Sequence, residues 1–121
     1  MIKAIKKTDL FLLIIAFIIT LLIFISGFFF DKYLVVSGSM EPNIPTGSVA
    51  IVNRNTAFDD VQIGDVVIFK YKDRNIIHRV IETTTINGKK YFKTKGDANS
   101  RDDGFVTTEE NYCGKALFHI E

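Results

Sequence analysis

The sequence is poor in the residues that staple or metallate small exported domains. Cys113 is its only cysteine, which excludes an internal disulfide and any cysteine-based metal site. The lone thiol is expected to be a small buried apolar residue. There is no HExxH, no grouping of His, Asp and Glu at metal-ligand spacing, and no glycine-rich phosphate loop, so neither metal nor cofactor is expected. Repeats and low-complexity tracts are missing too. A surplus of one charge is also absent beyond residue 30. Taking Lys3, Lys6, Lys7 and Asp9 from totals of 15 basic and 14 acidic residues leaves 12 and 13, a balance that gives no support for a nucleic-acid partner.

The longest absence is of charge altogether. LFLLIIAFIITLLIFISGFFF, Leu10 to Phe30, carries none. As a helix at about 1.5 Å per residue it would span roughly 31 Å, the thickness of a hydrocarbon core. A cleaved signal peptide would have an apolar core of about 7–15 residues ending at an A-x-A-like site. This run is longer and ends in Gly27-Phe28-Phe29-Phe30-Asp31-Lys32, so an uncleaved anchor is expected. Lys3, Lys6 and Lys7 precede it against the single Asp9, and the positive-inside bias keeps that end in the cytoplasm. The expected organisation is a short basic cytoplasmic segment (1–9), a transmembrane helix (10–30) and an extracytoplasmic β-rich domain (31–121). The membrane would be a cell membrane, or that of the endoplasmic reticulum in a eukaryote.

The exported part has no helical 3.6-residue stripe and reads as strands and turns. Strands are expected at Leu34–Val36, Ser48–Val52, Val66–Tyr71, Asn75–Glu82 and Lys90–Thr94. Turn signals separate them at Pro42, Pro45-Thr46-Gly47, Ile63-Gly64-Asp65, Lys72-Asp73-Arg74-Asn75 and Asn87-Gly88. Asn and Gly tolerate the positive φ angles of a type I′ turn, so Asn87-Gly88 predicts a hairpin between Ile77–Ile86 and Lys89–Thr94.

Three residue types needed for base-assisted nucleophilic catalysis occur in this half. Ser39 sits beside Gly38 in VVSGSMEPNIPTG (35–47), His78 lies in a strand, and Asp97, Asp102 and Asp103 lie in KGDANSRDDG (95–104). A serine hydroxyl needs a base to take its proton, and imidazole suits that role near neutrality. A carboxylate can hold the ring in the useful tautomer. Backbone N–H groups around Ser39 and the Ser37 hydroxyl are candidate oxyanion donors. Each residue also has an ordinary structural reading, as a turn serine, a packed histidine or a solvated acidic loop. His119 has no evident partner and reads as structural.

Four segments together resemble the type I signal peptidases, in the branch of archaea, the endoplasmic reticulum and some Gram-positive bacteria. VVSGSMEPNIPTGS (35–48) is similar to the nucleophile box and IGDVVIFK (63–70) to the strand that follows. IIHRVIE (76–82) is similar to the base box and KTKGDANSRDD (93–103) to the final acidic box. The other branch has lysine as general base before Arg-Val-Ile, where this chain has His78; Lys70 and Lys72 do not match that position. The resemblance implies a mainly β, signal-peptidase-like antiparallel core behind one N-terminal transmembrane helix. It also implies a membrane-anchored serine endopeptidase that removes signal peptides from exported preproteins at the outer membrane face. Ser39 would be the nucleophile, His78 the general base, Asp103 its orienter and Asp97 a supporting acid, with Asp102 the alternative acid. Ser37 and the Ser39 N–H would form the oxyanion hole, while Met40 and Pro42 shape the loop. Implied partners are signal-peptide-bearing preproteins with small residues at −1 and −3, the lipid bilayer and the secretion translocon. The family usually has Asn directly after Gly-Asp, where this chain has Ala98, and several relatives carry a second apolar segment near the C-terminus. The alternative on the same fold is a non-catalytic scaffold or chaperone for assembling surface polymers.

Overall fold

The computed structural model describes all residues, Met1–Glu121. All of the uncharged run but Phe30, which opens the first strand, lies inside helix α1, Lys7–Phe29, which follows an extended Lys6 and has Asp9 in its first turn. None of its residues is buried. A helix that is apolar on every face needs an apolar surround that the rest of this chain does not provide, and α1 is long and apolar enough to cross a membrane. The last turn contains no basic residue of its own. Arg54 supplies the cation instead: its Nε donates to Phe28 O at 3.1 Å and its Nη2 to Gly27 O, while Nη1 lies 3.5 Å from Asp31. A guanidinium there satisfies carbonyls left open at the helix end and faces the negative pole of the helix dipole.

The chain leaves α1 directly into strand β1, Phe30–Leu34. It continues through β2, Val49–Asn53; a short 3₁₀ turn, Phe58–Asp60; β3, Val66–Tyr71; β4, Arg74–Ile86; β5, Lys89–Lys95; β6, Val106–Thr107; and β7, Tyr112–Ile120. The seven strands form one sheet in the order β1-β2-β7-β3-β4-β5-β6, and every neighbouring pair is antiparallel. The architecture is the expected mainly antiparallel β fold with one N-terminal apolar helix.

The hairpin expected at Asn87-Gly88 forms between β4 and β5, with φ of 51° and 77° at its two central residues. The β3–β4 hairpin turns in the same way at Lys72 and Asp73, with φ of 48° and 62°. Two expectations need correction. The strand foreseen at Leu34–Val36 lies earlier, at Phe30–Leu34. Val35 and Val36 have left the sheet there, although Val35 still exchanges hydrogen bonds with Ser48 O at 2.9 Å and Gly47 N at 2.7 Å. Cys113 is only half-buried; burial pushes its thiol pKa up, which keeps it protonated and unreactive.

Strand β7 was not foreseen, yet it occupies the middle of the sheet. Gly114, Lys115 and Ala116 interrupt the β-branched run by which strands are recognised. Gly114 is needed because the neighbouring strand presses against it: a Cβ there would lie 2.7 Å from Val52 Cγ1 and 2.8 Å from Asn53 O. Alternation along β3 sends Ile68 to one face and Val67 and Phe69 to the other. On the first face Val35, Met40 and Ile44 pack against Ala50, Val52 and Ile68. On the second Phe58 and Val61 cover Val67, Phe69, Val80 and Phe92. The segment carrying Ser39 is therefore pinned on both sides, through buried Val35 before it and buried Met40 after it.

Register links the helix to the far side of the sheet. Phe30 pairs with Asn53, Asn53 with Lys115, Lys115 with Val67, and Val67 with His78. His78 thus stands in the same cross-strand row as the first residue after α1.

Candidate active site

Ser39 opens the turn that follows Val36 and is partly exposed. Its Oγ lies 3.4 Å from Ser37 Oγ. Below it the backbone is tied down twice: Glu41 N donates to Gly38 O at 3.1 Å, and Ile44 N to Met40 O at 2.9 Å. The Glu41 carboxylate accepts from the Thr46 hydroxyl at 2.8 Å, bracing the loop across its base.

His78 comes from the middle of β4 and is buried, with its ring edge-on to Phe69 at 6.3 Å. Its Nδ1 is 2.7 Å from Asp103 Oδ2, with the two side chains only 10% and 9% exposed. The same carboxylate oxygen accepts from the Thr94 hydroxyl at 2.6 Å, and Asp103 N donates to Thr94 O at 3.0 Å. A carboxylate held in this way accepts the Nδ1 proton and leaves the Nε2 lone pair free in the neutral ring. Asp102 lies elsewhere: it accepts from Gly104 N at 2.9 Å and lies 3.7 Å from Lys93 Nζ. Adjacent in sequence, the two acids are separated by their hydrogen bonds.

Asp97 serves a different part of the site. It receives a two-pronged contact from Arg79, Nε to Oδ1 at 2.9 Å and Nη2 to Oδ2 at 2.7 Å, and another from Asn43 Nδ2 at 2.8 Å. Arg79 Nη1 also donates to Gly64 O at 2.8 Å. The hydrogen bonds from Arg79, more than that from Asn43, hold the Asp97 pKa below its ordinary value, and the partner guanidinium is raised in return. A carboxyl with a depressed folded-state pKa stabilises the fold above its unfolded pKa, and that stabilisation is lost as pH falls through the folded value. Asp97→Asn should therefore lower the urea midpoint near neutral pH. Its deficit relative to wild type should shrink steadily on acidification below about pH 4, as followed by circular dichroism in detergent.

The acidic loop also holds the Ser39 loop by its backbone, since Ala98 N donates to Ser39 O at 2.9 Å. The contact comes from the Ala98 backbone and needs no side chain at this position. Gly96 passes between the two halves: a Cβ on it would lie 2.6 Å from Ser39 O, 2.7 Å from Asn99 Nδ2 and 3.0 Å from His78 Nε2. No hydrogen bond joins Ser39 Oγ to His78 Nε2 in this structure, but both residues line one cleft of about 570 Å³. One wall is the Leu34–Ser37 segment, and the other is Arg74–His78 at the start of β4, with Ile68 and Asn99 also lining the cleft. β4 pairs with β5 only from Arg79 onward, so Arg74–His78 has no sheet neighbour on that side.

Sequence reading singled out Ser37, Ser39, His78 and Asp103, and these meet at the cleft or directly behind it. Asp97 braces the site through Arg79 and Asn43, and Asp102 stands apart. His119 lies far along β7, 3.5 Å from Glu121. Thr94, Asn43, Gly96 and Asn99 were missed. Thr94, in KTKGD, offered one signal, a hydroxyl on a strand directly before the acidic loop. The others are positioned by tertiary contact alone. No three His, Cys, Asp or Glu side chains converge as a metal site.

A family model described as signal peptidase, peptidase S26, matches residues 8–93. The signal peptidase I W of Bacillus subtilis (strain 168) is 40% identical over 79 residues, 64% of this chain and 41% of that protein. The signal peptidase complex catalytic subunit SEC11 of Scheffersomyces stipitis is 35% identical over 85 residues, covering 67% and 49%. The human subunit SEC11C is 39% identical over 85 residues, covering 67% and 44%. The chain thus spans less than half the length of each of these relatives, and the matched range of the family model stops before Asp97 and Asp103.

Proposed function

The chain belongs to the signal peptidase family, peptidase S26, and from that premise we propose that it is a membrane-anchored Ser–His endopeptidase that cleaves signal peptides from exported preproteins. The observation that carries the mechanism is the buried His78–Asp103 pair at 2.7 Å, on a ring that lines the same cleft as Ser39. Ser39 Oγ attacks the scissile carbonyl carbon as His78 Nε2 takes its proton. The developing oxyanion is met by the Ser39 N–H and the Ser37 hydroxyl. Collapse breaks the C–N bond, and the imidazolium returns the proton to the departing amine, leaving an acyl-enzyme. Water, deprotonated by the same nitrogen, then releases the signal peptide and regenerates Ser39. Asp103 keeps the proton on Nδ1 and stabilises the imidazolium, and Thr94 fixes the carboxylate.

The unpaired edge of β4 faces the Leu34–Ser37 segment across the cleft, an arrangement suited to an extended peptide held by main-chain hydrogen bonds. The largely apolar lining supports small apolar side chains as the groups read beside the scissile bond, in keeping with the −1 and −3 preference implied by the resemblance. Orientation follows from the charges before α1, with the N-terminus cytoplasmic and residues 31–121 outside. The row from Phe30 to His78 supports cleavage close to the outer membrane face, where signal peptides emerge. The bilayer is a partner on this reading, and the secretion translocon is the source of substrate.

The test uses the full chain in liposomes with a model preprotein. Wild type is expected to cut after a small residue, and Ser39→Ala to lose cleavage entirely while keeping its circular dichroism spectrum. A folded Ser39→Ala chain that still cuts would end the proposal.

A further inference from the structure

The β3–β4 hairpin carries three cations at its tip, Lys70, Lys72 and Arg74, against one acid, Asp73. All three are exposed, and none forms a salt bridge or a side-chain hydrogen bond. The tip is held stiffly from behind, where Tyr71 stacks on Phe105 with centroids 3.9 Å apart and planes 4° from parallel. Exposed cations are common, and position distinguishes these. β7 runs from Lys115 to Ile120 beside Asn53 to Val49, away from the α1 end of β1. β3 is antiparallel to β7, with Val67 opposite Lys115 and Phe69 opposite Tyr112. Following β3 from Val67 to Tyr71 therefore leads back past the Phe30 row, toward the side from which α1 enters. Sheet twist of about 20–25° per strand over the three steps from β1 to β3 turns the hairpin by roughly 60–75°. That is short of the right angle that would take the tip off this side. The other hairpin, at Asn87-Gly88, lies at the opposite end of the long β4 strand.

We infer that the β3–β4 tip, through Lys70, Lys72 and Arg74, docks on the anionic lipid headgroups of the leaflet from which α1 emerges. This rests on the reading of α1 as a membrane anchor. The occupant follows from charge, as unpaired ammonium and guanidinium groups at headgroup level are attracted to an anionic surface and not to a zwitterionic one. Arg74 also lines the cleft shared by Ser39 and His78, so docking there would set that wall of the cleft against the bilayer.

The experiment uses the unmodified full chain in vesicles of phosphatidylcholine alone or mixed with phosphatidylglycerol. A water-soluble amine-acylating reagent is added and modification is read residue by residue by mass spectrometry. In the anionic vesicles the tip's two net positive charges, three cations less Asp73, should raise the docked-to-free ratio roughly 30-fold. Labelling of Lys70 and Lys72 should accordingly slow by about an order of magnitude, while Lys89 at the opposite hairpin labels equally in both lipids. High salt should restore the rate at Lys70 and Lys72, since screening shortens the reach of the surface charge to about 3 Å at 1 M. Equal labelling of Lys70 and Lys72 in the two lipids, or equal protection of Lys89, overturns the inference. Flotation of the same samples separates the two failures. A chain that does not float with either vesicle overturns the anchor reading itself, whereas one that floats without protecting the tip overturns only the docking.

Discussion

Replacing His78 by alanine is expected to slow preprotein cleavage by at least about 10⁴-fold, because the serine then has no base and the leaving amine no acid. The folded state should survive, since the ring packs at the edge of the second core cluster and not at its centre. The more informative variant is His78→Lys. The resemblance implies a lysine at this position in the other branch, so that exchange has an obvious appeal. At this position it should fail. Asp103 is buried beside the ring, and it would form an ion pair with a lysine and hold the ammonium in its charged form. A lysine that cannot release its proton near neutral pH cannot accept one from Ser39. His78→Lys should therefore be nearly as inactive as His78→Ala, and His78→Lys with Asp103→Asn more active than His78→Lys alone. Initial rates of cleavage against pH for the set decide it. A fully active single Lys variant would show that Asp103 does not govern the protonation of its neighbour.

The second large effect lies at Asp103. An asparagine there can turn its amide NH₂ toward Nδ1, forcing the ring proton onto Nε2, the nitrogen that must accept from Ser39. The expected loss in kcat is about 10⁴-fold, with KM nearly unchanged. Asp102→Asn supplies the control. Its carboxylate contacts Lys93 and the Gly104 N–H, not the ring, so activity should stay within about threefold of wild type, as for surface substitutions remote from a site. If the two variants behaved alike, the acid would act through loop structure and not through the imidazole.

How far the sequence foretold this arrangement depends on which forces decide each part. Val66–Tyr71 and the Asn87-Gly88 hairpin were readable because β-branched composition and positive-φ tolerance are local properties. Strand β1 was read too late, since its first residue belongs equally to the aromatic run that closes the apolar segment. Strand β7 escaped notice because its Gly114 is dictated by the closeness of Val52 and Asn53, which no local pattern records. The site shows the same division. Ser39 and His78 are marked by their neighbours in sequence, and the order of the four boxes marks them further. Which of Asp102 and Asp103 lies against the His78 ring is invisible in a run of two identical residues; it is Asp103, whose carboxylate is also held by Thr94 on another element. Gly96 belongs to this second class, as its importance lies in what it passes between.

The position of β7 has a consequence in time. Ser39 lies between β1 and β2, while His78 lies on β4, and in the sheet these two blocks are joined only through Tyr112–Ile120, which pairs with β2 on one side and β3 on the other. On a ribosome those residues appear after the other six strands of this sheet. A nascent chain can close its two hairpins early, because their contacts are local, but the seam between the blocks waits for long-range pairing. Ser39 and His78 therefore come to line one cleft late in synthesis, and on the proposed mechanism the chain would gain activity only once translation has passed β7.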